Sequence, residues 1–301
     1  MPFDLPRSLS PSKVTSFRDC ALAFRFNAID HLPDEPTIWT VKGTLVHRAL
    51  ERLFWFHDRG RRTPAAATTE LALAWDELQS DPDYLALALT PDLADELRTE
   101  AGVLVQNYFA LEDPNEVTAI GVELSLEARI GLLRLRGIID RLDLTADGEL
   151  VVIDYKTGRA PSVAFEQSKL IGVHIYALLC NEVLGRTPVQ VKLLHLKEPT
   201  TIIAEPSEQA IRGHRQKAVA VWTAIERACE TEDFRPRTSS LCNYCRFRAF
   251  CPAYGGNPDE AAAAPHDRGH PRRYQALGWR GWRGPRGFGS RRRRPIREWS
   301  G

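Results

Sequence analysis

Apolar and polar residues follow a helical period in the first third of the chain and a period of two in its middle. In "LSPSKVTSFRDCALAFRFNAID", Ser10 is placed to cap a helix with Pro11 at its first position, and apolar residues follow at helical spacing through Phe24 and Phe26. One early helix is predicted there. In "KGTLVHRALERLFWFHDRG" a second helix is predicted from about Thr44 to Asp58. Gly43, His47, Leu50 and Phe54 fall on one stripe of it, which turns His47 toward the body of the protein. From about residue 61 to 115 Ala and Leu abound, with breaks at Asp81-Pro82 and Thr90-Pro91, the pattern of an inserted helical segment. From Val117 the period changes: "VTAIGVELSLEARI", "LLRLRGIIDRLDL" and "ELVVIDYKTG" read as three consecutive strands, the last apolar enough for the middle of a sheet. A helix from about Gln167 to Leu184, a strand "VQVKLLHLK" and a helix from about Pro206 to Glu230 follow. This order argues an α/β fold, a mixed β-sheet flanked by helices with a helical insertion.

The segment "GIIDRLDLTADGELVVIDYKTG", Gly137 to Gly158, breaks the greasy pattern of a central hairpin with carboxylates. Asp140 and Asp154 lie seven residues either side of Asp147, the middle of the turn, so closing the hairpin there brings them nearly opposite each other. Alternation then puts Lys156 on the same face as Asp154, and Glu123 joins them if the preceding strand pairs alongside. Burying such charges uncompensated costs several kcal/mol, and like charges in near contact raise one pKa sharply. Lys156 supplies one positive charge. A hard divalent cation on oxygen ligands would supply the rest, and Mg2+ characteristically takes one or two carboxylates together with substrate phosphate oxygens. That combination is suited to metal-assisted phosphodiester hydrolysis. An isolated D-x-K is ordinarily a surface ion pair. The apolar run "VVIDYK" and the arrival of Asp140 from the neighbouring strand argue otherwise here.

Composition adds two features. The net charge of +1 over 301 residues hides a split: residues 261–301 hold eleven Arg against Asp267 and Glu298, a local +9, which leaves −8 for the rest. The Arg- and Gly-rich tail from 256 to 301 lacks a helical or strand period and is expected to be disordered, either a loose nucleic-acid-binding arm or an inconsequential extension. Among the six cysteines, Cys242, Cys245 and Cys251 stand as C-x2-C-x5-C, and Cys20 is the natural fourth ligand; Cys180 and Cys229 read as core. Four thiolates suit a tetrahedral Zn2+ or a [4Fe-4S] cluster, and spacing alone leaves both open. No stretch approaches the roughly 20 apolar residues that span a bilayer, and the start lacks a secretory pattern, so a cytoplasmic protein without membrane association is expected. No G-x-x-x-x-G-K-[ST] phosphate loop occurs.

Together these motifs resemble the PD-(D/E)XK nucleases, and within them the RecB-type exonucleases, whose signature is similar to "GIIDRLD" followed by "VVIDYKTG". The resemblance runs from "LSPSKVTSFRDC" through "KGTLVHRALE" and the hairpin to the last cysteines, so residues 1–255 would form the nuclease domain. It implies a restriction-endonuclease-like fold with His47, Asp140 and Asp154 as ligands of Mg2+ or Mn2+, Lys156 as catalytic lysine and Glu123 as an accessory acid. The family's helical Gln-x-x-x-Tyr keeps Tyr176 as a site residue, but Gly172 stands where the Gln would be. The single distant Cys followed by a compact trio resembles the iron-sulfur nucleases of RecB and AddB type, which implies that Cys20, Cys242, Cys245 and Cys251 hold a [4Fe-4S] cluster. The implied activity is that of a metal-dependent deoxyribonuclease in DNA repair or recombination. It would act as an exonuclease on single strands or duplex ends, with unwinding left to a helicase partner. The competing reading is a catalytically silent iron-sulfur DNA-binding or scaffold protein, favoured by Gly172.

Overall fold

Five strands form one sheet in the order β1 (Ala119–Ile130), β2 (Leu133–Leu144), β3 (Leu150–Lys156), β4 (Gln190–His195) and β5 (Thr200–Ala204) in a computed structural model of the chain. The structure describes residues 3–32, 35–160 and 163–263, with side chains from 174 onward in the last stretch. Three of the four neighbouring pairs are antiparallel. The parallel pair β3–β4 needs a crossover, which α7 (Val163–Leu184) supplies. β3, apolar along almost its whole length, is the central strand because both of its faces are covered.

Proline-led starts shape the first half. α1 (Pro11–Asp19) is capped by Ser10, whose side chain accepts from the Lys13 N–H at 3.3 Å. The early helix is two helices rather than one. Cys20 takes an extended conformation (φ −162°, ψ 112°) between α1 and α2 (Ala21–Ala28), ending one and starting the other, so this thiol sits at a corner and not on a helical face. α3 (Ile38–Phe56) begins six residues before Thr44, since Thr37 and Thr40 form a reciprocal capping box. The predicted breaks are where helices start: Asp81-Pro82 and Thr90-Pro91 cap and open α5 (Pro82–Ala86) and α6 (Pro91–Tyr108), and Thr63-Pro64 does the same for α4 (Pro64–Leu78).

Two cores lie on the two faces of the sheet. On one, Leu126, Leu135, Ile139, Val152 and Leu193 pack with α1, α2, α7 and α8 (Glu208–Thr231). On the other, Val151, Ile153 and Tyr155 meet α3, α4 and α6 through Leu50, Leu53, Trp75, Leu97 and Tyr108. The helices of the 61–115 segment therefore share a core with the sheet. β5 is not visible in the sequence pattern: its five residues, half exposed, pair with β4 but read as part of a loop.

The tail does not begin at 256. Asn257 Oδ1 accepts from the Asp259 N–H at 3.1 Å, Pro258 opens α9 (Pro258–Ala263), and Ala261 is fully buried in the first core. The predicted disorder fails for these eight residues, because a capped, alanine-rich turn with an apolar face to bury is cheaper ordered than free. The Arg-rich remainder lies outside the described residues.

Candidate active site

β2 and β3 pair as far as Arg141 opposite Ile153, a register whose next step sets Asp140 opposite Asp154. There the ladder stops. The Tyr155 N–H is taken by Asp140 Oδ2 at 2.7 Å, so a carboxylate occupies the place of a strand carbonyl. On the other side, β1 and β2 pair at Val122–Arg141 and Leu124–Ile139 but not at the step between, where Glu123 and Asp140 meet. Glu123 has φ 47°, the left-handed region that a Glu rarely occupies within a strand. The side-chain phase changes at this step: Leu135 and Ile139 face the α7 side, as does Leu142 beyond it, while Arg141 turns to the α3 side. The two carboxylates stand at the irregularity that makes this change.

His47 comes from the inward stripe of α3, with Nδ1 3.5 Å from Asp140 Oδ2. One turn earlier, a side chain at Gly43 would bring its Cβ to 3.3 Å from Thr157 Oγ1, so the small residue lets the segment after β3 pass close to the helix. Among the described residues, His47, Glu123 and Asp140 are the one set of His, Cys, Asp and Glu ligand atoms all within 4.8 Å of one another. Asp154 lies outside that set. It is 4 % exposed and its Oδ2 is ion-paired with the Lys156 ammonium. The structure thus brings Glu123, assigned only an accessory place from the sequence, within 4.8 Å of His47 and Asp140.

Tyr176 projects from α7 toward the same carboxylates. Gly137 on β2 makes room for it: a Cβ there would lie 3.1 Å from the Tyr176 ring and 2.7 Å from Leu179. Gly172 lies on the same helix, one turn earlier.

The electrostatics follow from crowding. Burial pushes the His47 imidazole down, but the Asp140 charge and hydrogen bond, with Asp154 and Glu123 behind, outweigh it and lift the pKa to about 9. Burial and the Asp140 charge lift Asp154 to about 6 against the pull of Lys156. Burial and Asp140 likewise raise Glu123 to about 7. Asp140 itself is held below the usual range: burial raises it, but His47 and the Tyr155 N–H outweigh that. Burial and the nearby carboxylates raise Tyr176, so it stays a protonated donor. Lys156 stays an ammonium because Asp154 and Asp140 more than offset its burial. The cluster therefore holds more negative charge than its own cations neutralise and retains protons at neutral pH. Two or three carboxylates and one imidazole form a hard donor set of the kind that takes Mg2+ or Mn2+ in place of those protons.

Residues 8–252 match the family model of the PD-(D/E)XK nuclease superfamily. The chain belongs to that superfamily. Asp154-Tyr155-Lys156 has the spacing of a (D/E)-x-K element, and the five-stranded mixed sheet between helices agrees with the superfamily's fold. Two solved structures are similar to this PD-(D/E)XK chain. One is a crystal structure described as a candidate exonuclease from Eubacterium rectale, with 11% identity, covering 79% of this chain and 87% of that one at a TM-score of 0.49. The other, of SSO0001, shows 15% identity over 78% of this chain and 95% of that one at a TM-score of 0.34. No curated protein matches the sequence.

Behind Asp140 and Asp154 lies a network that the sequence pattern did not single out. Arg141, fully buried, donates from Nε and Nη2 to Asp143 at 2.8 and 2.9 Å, and from Nη1 to the Tyr155 and Tyr108 hydroxyls at 2.8 and 3.1 Å. Its Nη2 is also 2.6 Å from Glu112, and its guanidinium stacks 4.3 Å over Phe54. This network grips Tyr155 from the face opposite Asp154. The signal was present in the signature itself, as the Arg-x-Asp after Asp140.

A cleft of about 950 Å3 runs from Asp154, Lys156 and Tyr176 to all four of Cys20, Cys242, Cys245 and Cys251. The Arg237 N–H points at Cys20 Sγ at 3.5 Å, and the Ser239 N–H at Cys242 Sγ at 3.4 Å, the latter contact holding the Cys242 thiol below its ordinary range. Cys180 and Cys229 are buried in the first core, where burial pushes their thiols up to about 12 and about 11.

Proposed function

We propose that the protein is a metal-dependent deoxyribonuclease of the RecB-like exonuclease type, acting on single strands or duplex ends in DNA repair or recombination. The observation that carries this reading is the convergence of His47, Glu123 and Asp140 within 4.8 Å beside the Asp154–Lys156 pair. His47, Asp140 and Asp154, joined by Glu123, would hold Mg2+ or Mn2+. When bound, such an ion lowers the pKa of a coordinated water and offsets charge on phosphoryl oxygens. The chain's own groups do the rest. Lys156, anchored by Asp154 and half exposed to the cleft, meets the scissile phosphate with a fixed positive charge and orients the attacking oxygen. Tyr176, protonated throughout, donates a hydrogen bond into the same space. The lack of a phosphate loop in the sequence leaves strand separation to a helicase partner.

The four cleft cysteines are assigned to a [4Fe-4S] cluster. A tetrahedral zinc with Zn–S of about 2.3 Å needs sulfurs about 3.8 Å apart. Among the described residues no three of these thiols come within the 4.8 Å that the His47 group achieves, a spread that favours the larger cluster.

Labelled single- and double-stranded DNA incubated with Mg2+ or Mn2+ tests the first assignment. Degradation is expected from the native protein and not from Asp154→Ala or Lys156→Ala; activity surviving both substitutions overturns the site. Binding without cleavage in either metal would instead support the silent reading that Gly172 favours. Aerobically purified protein should be brown, and a colourless protein with stoichiometric zinc overturns the cluster.

A further inference from the structure

The wall of the cleft opposite the carboxylates carries a surface that the hydrolytic chemistry does not use. Residues 1–260 have a net charge of −8, yet the cleft is lined by Lys156, Arg159, Arg237, Arg246 and Arg248 against only Asp19 and Asp154. A basic trough in an acidic body selects a polyanion. Between Cys242 and Cys245, at the end of a 3-10 turn (Ser240–Tyr244) capped by the Ser239 hydroxyl, Tyr244 stands 90 % exposed in that lining. An aromatic ring held on a short capped turn, almost wholly in solvent, adds little to the core. Just past the knuckle the arginines lie on rings, Arg246 4.4 Å over Phe247 and Arg248 4.3 Å over Tyr254, which fixes two positive charges on this wall.

We propose that this wall is the track for a single DNA strand, with one base stacked on Tyr244 and its flanking phosphates on Arg246 and Arg248, leading the strand toward Lys156. Stacking needs an unpaired base, so the surface discriminates single strand from duplex. The assignment rests on the nuclease reading for the direction of the strand, but its test reads binding alone.

Fluorescence anisotropy of a short labelled oligodeoxynucleotide, without added divalent cation, measures it on the full chain. Tyr244→Ala should weaken single-strand binding by about tenfold or more, Tyr244→Trp should retain it, and binding of a blunt duplex should change little. Arg246→Ala should lower the slope of log K against log salt by about 0.7, one phosphate contact on a single strand. Unchanged melting temperature and unchanged visible absorbance or zinc content establish that the variants keep the knuckle. Equal loss for single strand and duplex, no loss with Tyr244→Ala, or a Tyr244→Trp as weak as the Ala variant would overturn the proposal. No cleavage is read, so failure of the nuclease assay leaves this result standing, and the reverse also holds.

Discussion

Arg141 shows how a residue remote from the reacting groups sets their geometry. Asp143 and Glu112 depend on it for neutralisation, and burial already pushes Asp143 above its ordinary range despite the guanidinium. Arg141→Met should therefore strand two carboxylates and cost about 3–5 kcal/mol in urea unfolding; a loss under about 1 kcal/mol would show that the network is not the anchor of Tyr155. Glu123 is the opposite case. Its left-handed backbone and its repulsion with Asp140 both disfavour the fold, and neither is needed for packing. Glu123→Asn, a residue that tolerates that conformation, should stabilise the metal-free protein by about 1 kcal/mol while depressing Mg2+-dependent cleavage. Stabilisation without any loss of cleavage would remove Glu123 from the site. At this scale the sequence was partly legible. The juxtaposition of Asp140, Asp154 and Lys156 was readable from hairpin symmetry and alternation, because pairing about a turn is arithmetic. Neither the strained φ of Glu123 nor its approach to His47 follows from alternation, since both arise where alternation breaks.

Among the elements, α7 and α8 are joined by a contact with its own pH signature. The His174 and His214 rings stack with centroids 4.2 Å apart, and His174 Nδ1 is buried with no hydrogen-bond partner among the described residues. Burial, then the neighbouring His174 and Lys217, holds His214 down to about 4; burial and Lys217 also lower His174. The sign follows from proton counting. Between about pH 6.5 and 4 the unfolded chain binds protons at these positions that the folded chain does not. Their contribution is fully present above about pH 6.5 and is lost as the pH falls toward 4. Urea midpoints measured across that range should drop for the native protein and drop less for His214→Phe. Parallel curves would mean that the stack is indifferent to charge. Neither histidine is marked by the sequence pattern, because what makes them sensitive is a packing distance between two helices 40 residues apart. Helices α5 and α6 were legible, their Asp-Pro and Thr-Pro starts being strong local signals, whereas β5 was not, its five residues having β4 as their only strand neighbour among the described residues.

For the molecule as a whole, the proposed cysteine clamp would decide whether the two ends of the domain behave as one unit. Cys20 at the α1–α2 corner and the trio at 242–251 are more than 200 residues apart, and the trio's segment is built of 3-10 turns with little buried surface of its own. Backbone closure there depends on Gly256: a Cβ would meet the Ala249 carbonyl oxygen at 2.1 Å and Phe250 and Cys251 backbone atoms at 2.7 Å, while its N–H bonds the Cys251 carbonyl at 3.0 Å. A clamp across so long a loop acts chiefly by restricting the unfolded chain, on the order of 4–5 kcal/mol if the bonded group behaves as a crosslink. Cys20→Ser should therefore lower urea stability by several kcal/mol, abolish the visible absorbance, and open residues 237–256 to protease while the sheet and the α3–α6 layer stay protected. Gly256→Ala, which leaves every thiol in place, should expose the same segment by forcing the backbone apart. Cys180→Ala, inside the first core, should keep the absorbance and the protease pattern. If Cys20→Ser keeps both the absorbance and the protection of 237–256, the clamp does not include Cys20, and the wall that presents Tyr244 is held by something other than thiolate bonds.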